Sequence, residues 1–385
     1  MALVAPLLVF LFFVFLIPLA GMLWRAVDDP ELTAVLPRTR AAVDAWDGKG
    51  LPGDAAYAAL AADLIAAREA GNLAILAKRL NYDITGYRSL LLNTARRLPP
   101  AVAADEARAL LIDIDERWGD RAYWAAMVRA RGPLTDFYLL SAVDLHRDAA
   151  GAIVHTPDHE AIHRDVFART LGIAATVTLI CLLMGFPAAY LLATLPPRLA
   201  NPMMILVLLP FWTSLLVRTA AWVVLLQNTG IVNGALLALG LVDKPIAMIY
   251  NRVGVVVAMT HVLLPYMSLP LYSVMKTIPP SLMRAAASLG APPWEAFVRV
   301  YIPQCVPGIG AGALLVFILA LGFYITPALV GGASDQMMSY FIAFHTANTA
   351  NWGLASALGA ALLLGTLLLY ALYARLLGAE RLRLG

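Results

Sequence analysis

Ser281-Leu-Met-Arg284-Ala285-Ala286-Ala-Ser-Leu-Gly290-Ala-Pro-Pro-Trp294-Glu295-Ala-Phe297-Val-Arg-Val300-Tyr-Ile-Pro303 is a short amphipathic stretch between two long apolar blocks, Val253 to Met275 and Val306 to Val330. Ser281 reads as an N-cap, Gly290 as the turn residue past a helix end, and Pro293 as the first position of a second short helix. The expected product is a helix-turn-helix with a small-residue face and an aromatic ridge, Trp294 and Phe297. Each flanking block is long enough to cross about 30 Å of hydrocarbon. The stretch is therefore expected at a membrane surface, shaped as a knob that docks into a groove of another protein and passes on its motion.

Working outward, three more blocks have the same character: Thr170 to Ala193, Pro202 to Leu226 and Gly353 to Leu377. With the opening run Leu3 to Trp24 they make six spans. The 385-residue chain is 61% hydrophobic and 14% charged, with a mean hydropathy of +0.75, outside the range of soluble globular proteins. Gly, Ala, Ser and Thr within the blocks suit close helix packing in lipid. Cys181 and Cys305 lie in or at the edge of apolar runs and read as small buried hydrophobes, not a disulfide framework. The opening run lacks a basic n-region and reads as a retained helix; cleavage within Leu16-Ile17-Pro18-Leu19-Ala20-Gly21 is the alternative.

Charge divides the chain further. Of 25 acidic residues, 21 fall between Asp28 and Asp165, leaving Asp243, Glu295, Asp335 and Glu380 for the rest. The expected organisation is a first transmembrane helix at 1–24, a helical insert at 25–166 and a five-helix body at 167–385 containing the loop at 276–303. Asp54 looks like the N-cap of a helix through Ala70, and Ala103 to Ala130 carries the longest periodic pattern. If the 276–303 loop is cytoplasmic, so are Arg198, Lys276, Arg284, Arg299, Arg375, Arg381 and Arg383, against Lys244 and Arg252 outside. The excess of basic residues inside favours this orientation, with both termini cytoplasmic and the insert extracytoplasmic.

The Ser281 to Pro303 segment resembles the EAA loop of ATP-binding-cassette importer permeases: paired small residues, a Gly four positions beyond Ala286, then Phe, Val and Pro at the family's offsets. Leu209-Pro210-Phe211-Trp212-Thr213-Ser214-Leu-Leu-Val-Arg218-Thr219-Ala-Ala-Trp222, His261-Val-Leu-Leu-Pro265-Tyr266-Met-Ser-Leu-Pro270-Leu-Tyr272 and Gly322-Phe323-Tyr324-Ile-Thr-Pro327-Ala-Leu-Val-Gly331-Gly332 are similar to segments of spermidine and putrescine permeases and their aminoethylphosphonate, opine and iron relatives. The resemblance covers nearly all of the hydrophobic body and leaves out the insert. It implies an all-α membrane protein of the type I importer-permease fold in the cell inner membrane, which passes a polyamine or related amine-containing solute and performs no bond chemistry. Implied partners are a dimer of ATPase subunits, a second permease subunit, an extracytoplasmic solute-binding protein and the bilayer, with no nucleic acid. No cofactor is expected on this chain; ATP and Mg belong to the ATPase. The resemblance assigns ATPase coupling to Arg284, Ala285, Ala286, Gly290, Trp294, Glu295, Phe297, Val300 and Pro303. Arg284 replaces the family's leading acid, for which Glu295 is a candidate substitute.

Arg218 is the costliest residue for a bilayer interior. It lines or gates a pathway, makes an interhelical contact, or snorkels outward. His261 offers a second polar group within a span. Trp212, Trp222, Tyr266, Phe323 and Tyr324 are aromatic walls for a cationic amine, or ordinary belt and packing residues. No Asp or Glu lies inside the spans, so a cation path needs carboxylates from a partner, or the solute is not a simple cation.

No G-x-x-x-x-G-K-[ST] loop is present to cradle phosphates, so the nucleotide site is expected on another chain. His159-Glu160-Ala161-Ile162-His163 fits H-E-x-x-H, and the alternative function is a zinc-dependent membrane protease at 159–163. It stands at the polar edge of the insert with few downstream acids to supply a third ligand, so no metal or catalytic residue is assigned.

Overall fold

A bilayer interior offers backbone amides no water, so the apolar blocks must satisfy their own hydrogen bonds as helices. The computed structural model describes residues 4–148 and 151–377. Among these, six helices are long and apolar enough to span: Ala5–Trp24, His163–Thr194, Leu215–Ala238, Arg252–Thr277, Pro293–Leu321 and Trp352–Arg375. The first residues of the 1–24 helix, the C-terminal end of the 167–385 body, Glu380, and Arg381 and Arg383 of the charge count lie outside the described residues. The chain forms two compact units, Met1–Ile162 with Asn351–Ala357, and His163–Ala350 with Leu358–Gly385.

In the first unit, the opening span fully buries none of its described side chains; Leu19, Met22 and Leu23 are half-buried and the rest are exposed to lipid or a neighbouring subunit. It widens to a π-type turn over Phe12–Leu16. Pro18 explains this, because its ring has no N–H for the carbonyl four residues back and pushes against it. Beyond the span, helices Asp54–Ala70, Leu73–Asp83, Tyr87–Arg97, Ala107–Ile114 and Arg121–Arg129 enclose a core of their own, with a small hairpin, Leu145–Arg147 against Ile153–His155. Asp54 is the first helical residue, and Gly53 holds the cap position. The periodic stretch expected over Ala103 to Ala130 is interrupted: Asp115 and Asp120 accept hydrogen bonds from the amides of Arg117 and Ala122 at 3.2 and 2.8 Å, each starting a new helical turn.

The core of this unit is aromatic, and each of its four fully buried rings places its polar tip on a partner. Tyr57, Tyr87, Trp118 and Trp124 are fully buried, with Tyr57 and Trp124 ring centroids 4.7 Å apart. The Tyr57 hydroxyl and Trp124 indole both donate to the Trp118 carbonyl at 2.9 and 3.0 Å, and the Trp118 indole donates to Thr94 at 2.9 Å. Arg79 forms the ionic centre. Its fork grips both oxygens of buried Asp29 at 2.9 and 2.6 Å, its remaining nitrogen reaches Asp83 at 2.7 Å, and its face lies 4.4 Å from the Phe137 ring centroid. Arg129 holds the other Asp83 oxygen at 3.1 Å. Burial pushes the Asp29 carboxyl up to about 7 against the pull of Arg79.

The second unit is packed by small residues and methionines. Helices His163–Thr194, Arg252–Thr277 and Ile302–Leu321 share one core, with Met267 at its centre. A side chain at Gly185 would meet Met267 Cγ at 3.1 Å, and one at Gly312 would meet Met267 Sδ at 2.8 Å. Two glycines on different helices thus make the slot that Met267 fills. At the end of the bundle opposite the 276–303 loop, buried Asp335 pairs with Arg252 at 3.1 Å and the Tyr250 amide donates to the Val330 carbonyl at 2.8 Å.

Two of the expected blocks are broken. Pro202 to Leu226 resolves into a helix at Pro197–Leu208, a tight turn at Leu209–Trp212 and a restart at Leu215–Leu226, which runs into the third span. Val306 to Val330 resolves into a helix ending at Leu321, a non-helical connection at Phe323 and Tyr324, and a short helix at Ile325–Val330.

Candidate functional site

The 276–303 loop begins with helix Pro280–Ser288, whose cap position is Pro279 and not Ser281. Gly290 ends it at φ +87°, a left-handed conformation that side chains with a Cβ rarely adopt. The Gly290 amide donates to the Ala287 carbonyl at 3.0 Å and the Ala291 amide to the Ala286 carbonyl at 3.1 Å, the paired bonds of a Schellman turn. Space is not the constraint at Gly290, since nothing lies within 4 Å of where its Cβ would be. The turn presents Leu289, 89% exposed, and Trp294, 68% exposed, while Ala286 and Ala296 are buried beneath them. Arg284 and Ala285 are exposed, and Glu295 is paired with Arg299 at 3.1 Å.

Pro293 starts the second helix, as its residue type predicts, but this helix does not stop: it continues through Leu321 as the fifth span. A π-type turn over Phe297–Tyr301 lies two residues before Pro303, the same offset as in the first span. Pro303 thus acts through the backbone, and it re-registers the aromatic pair at its upstream end. Phe297 and Tyr301 stack with centroids 5.5 Å apart, and Tyr190 meets them edge-on at 5.7 and 5.4 Å. Phe186 adds a further edge at 6.2 Å. The expected ridge of Trp294 and Phe297 is therefore divided: Trp294 points outward and Phe297 is the rivet that ties the knob to the second span. The i,i+4 spacings Phe186–Tyr190 and Phe297–Tyr301 were the available sequence signal for this cluster. Val300 is half-buried and Pro303 exposed.

Arg218 faces the break in its own segment. Its guanidinium donates to the carbonyls of Pro210 and of Thr213, the latter at 2.8 Å, and to the Thr213 hydroxyl at 3.3 Å. These carbonyls are the ones released where the helix is interrupted, so the charged side chain caps a broken helix. One turn on, the Trp222 indole donates to His261 Nδ1 at 3.1 Å, an assignment that leaves the proton of neutral His261 on Nε2. Tyr266 meets Phe211 edge-on at 5.0 Å. These residues gather around the turn at 209–214, whereas Trp212 itself is 72% exposed. Phe323 packs against the second unit's core, and its carbonyl accepts from the Ser339 hydroxyl. Tyr324 forms a separate aromatic group with Tyr340, at 6.2 Å, and Phe344, which stacks on Tyr340 at 6.3 Å. Sequence reading missed Tyr340 and Phe344, which lie in a segment whose contacts depend on the fifth helix breaking at Gly322.

The H-E-x-x-H match is split by secondary structure. Asp158, His159 and Glu160 form a turn, and the helix begins only at His163, so the two histidines do not share one helix. His159 and Glu160 are exposed and 3.6 Å apart. A zincin pair needs its histidines one helical turn apart on one face.

Six apolar spans, a helix break capped from within, and an exposed helix-turn rooted in the span bundle are the features of a membrane permease. Residues 169–379 match the family described as binding-protein-dependent transport system inner membrane component. The chain belongs to that family and is an importer permease of the inner membrane. It is similar to the spermidine/putrescine transport system permease protein PotB of Salmonella typhimurium strain SL1344, 34% identical over 245 residues, or 61% of this chain and 85% of the relative. The Escherichia coli K12 protein of the same description is 33% identical over 245 residues, 61% of this chain and 89% of the relative. Among solved structures, a bacterial alginate ABC transporter in complex with an alginate pentasaccharide-bound periplasmic protein aligns at 18% identity and a TM-score of 0.46, covering 55% of this chain and 77% of that one.

Proposed function

We propose that this permease forms one half of a transmembrane path for a polyamine or related amine-containing solute, handed over by an extracytoplasmic binding protein. A second permease subunit completes the path, and a pair of ATPase subunits holding ATP and Mg drives it through the 276–303 loops. In this reading both termini are cytoplasmic and the 25–166 insert extracytoplasmic. The similarity to spermidine/putrescine permeases supports the solute class. The observation that carries the coupling role is the turn at Gly290: it displays Leu289 and Trp294 to solvent while Phe297 roots the same element in the bundle. An apolar knob on a rigid root transmits displacement in both directions, which a floppy loop does not. Arg284 and Glu295 stand beside this knob, and a partner groove facing it needs an apolar pocket with room for a guanidinium. Aromatic faces at Trp222, Tyr266 and Tyr324 supply cation-π surface along the path.

The test is Gly290→Val, whose β-branched side chain resists a positive φ. Spermidine uptake in cells lacking their own importers is expected to fall at least tenfold, with membrane insertion unchanged. Undiminished uptake by a stably inserted variant would sink the coupling role; uptake of another solute in place of spermidine would sink the solute class alone.

A further inference from the structure

Exposed apolar side chains are unevenly distributed in the first unit. Among the described residues between Arg25 and Gly132, one large apolar side chain, Ile75, is exposed; between Pro133 and Ile162 there are five, Leu134, Leu139, Val143, Ile153 and Ile162. Three of these belong to a short segment pinned to the ends of two membrane helices. Past Trp24 the chain continues in turns, with the Val27 and Asp28 amides both donating to the Trp24 carbonyl. At about 1.5–2 Å per residue, Asp28 lies roughly 6–8 Å beyond the end of the first span. There it pairs with Leu134 in an antiparallel bridge. The Thr135 amide donates to the Val27 carbonyl at 2.7 Å and the Asp29 amide to the Pro133 carbonyl at 3.1 Å. The next element, helix Phe137–Ser141, is fixed to the sixth span at its first turn: the Tyr138 ring covers Gly353 so closely that a Cβ there would lie 2.4 Å from it. Arg25 lies 5.8 Å from the ring centroid of Trp352 at the same end.

Tyr138 and Ala142 occupy the buried face of this segment, and Leu139 and Val143, also four apart, occupy the opposite, exposed face. Leu134 is 54% exposed beside the first span. A two-faced apolar helix in water leaves one face without a partner. Here the unpartnered face is level with span ends marked by exposed Trp24 and Trp352, the residue type that prefers the boundary between headgroups and acyl chains. We propose that residues 133–143 form an interfacial collar, with Leu134, Leu139 and Val143 seated in the headgroup boundary of the bilayer. The collar fixes the insert's height and tilt over the membrane without adding a span.

The experiment places single cysteines at Leu134, Leu139, Val143 and, as a control, Ile75, in the full-length chain with buried Cys181 and Cys305 replaced by Ala. Each is labelled with an environment-sensitive nitrobenzoxadiazole fluorophore and reconstituted in phosphatidylethanolamine/phosphatidylglycerol vesicles. Lipid brominated near the top of the acyl chain is expected to quench the three collar sites at least twofold more than Ile75, and aqueous iodide the reverse. Iodide quenching of Leu139 and Val143 equal to that of Ile75 would show the face to be in water, and overturn the collar. Protection of both sites from iodide and brominated lipid alike would show a protein partner, and also overturn it. Retained binding of the label at all four sites in vesicles with unchanged tryptic fragments establishes that each variant is folded.

Discussion

The two units of this chain solve the same packing problem with different materials. The insert closes on large aromatics, Tyr57, Tyr87, Trp118 and Trp124, and on a buried ionic centre at Arg79. The membrane bundle closes on glycine slots around Met267, with hydroxyls folded back onto their own helices: Thr170, Thr178 and Ser268 each donate to the carbonyl four residues earlier. In water, burying aromatic area is itself strongly favourable. In lipid it is not, because the surroundings are as apolar as the side chain, so helices associate by close approach and shape. The solvent, more than the residue inventory, decides which contacts matter.

The sharpest way to break this contrast is Arg79→Ala. It strands Asp29 in a dry site and leaves Asp83 with Arg129 alone, a loss of about 3–5 kcal/mol when one partner of a buried pair is removed. Limited proteolysis is expected to open the 25–148 region while the Gly185, Met267 and Gly312 helices stay protected; simultaneous loss of both would show that the units do not fold independently. A smaller effect is expected of Gly312→Val, because its Cβ meets Met267 Sδ at 2.8 Å and the Met267 carbonyl at 3.1 Å. Overpacking of this kind costs about 1–3 kcal/mol. Thermal unfolding in detergent should show the loss, and Met267→Ala in the same chain should restore part of it by removing the thioether. An unchanged melting temperature would mean the slot is looser than its contacts indicate.

An effect of pH comparable to that of Gly312→Val is also expected. Asp29 is pushed up to about 7 from an ordinary value of 3.8, so the folded insert holds a proton that the unfolded chain releases. The sign follows: between those two values the folded state binds more protons, and stability declines as pH rises, levelling off above about 7. The insert's melting temperature should therefore be lower at pH 7.5 than at pH 5. Asp29→Asn should flatten that slope, and a slope unchanged by it would assign the titration to another group.

Much of this protein was readable in advance. Six spans follow from block length against bilayer thickness, and Gly290 and Pro293 announce a helix end and a helix start through their own backbone limits. Other features depend on neighbours distant in sequence. Trp294 and Phe297 are both aromatic and only three residues apart, yet one is solvent-exposed and the other rooted on Tyr190. Nothing local distinguishes them; the π-type turn ahead of Pro303 and the approach of the second span do. Arg218 likewise takes its partners from the break at 209–214, where the carbonyls of Pro210 and Thr213 accept from its guanidinium.

Composition and periodicity alone determined that this chain crosses a membrane as helices, where an amphipathic knob interrupts them, and that its charge is concentrated in one insert. These are properties of single segments meeting a solvent, and each segment carries the needed information itself. Only the tertiary structure decided which helices break, which face of the knob turns outward, that Met267 lies between two glycines, and that residues 133–143 rest beside the ends of two spans. Those outcomes depend on pairs of surfaces from remote parts of the chain. Close packing admits few arrangements of such pairs, and a one-dimensional pattern does not specify which of them is taken.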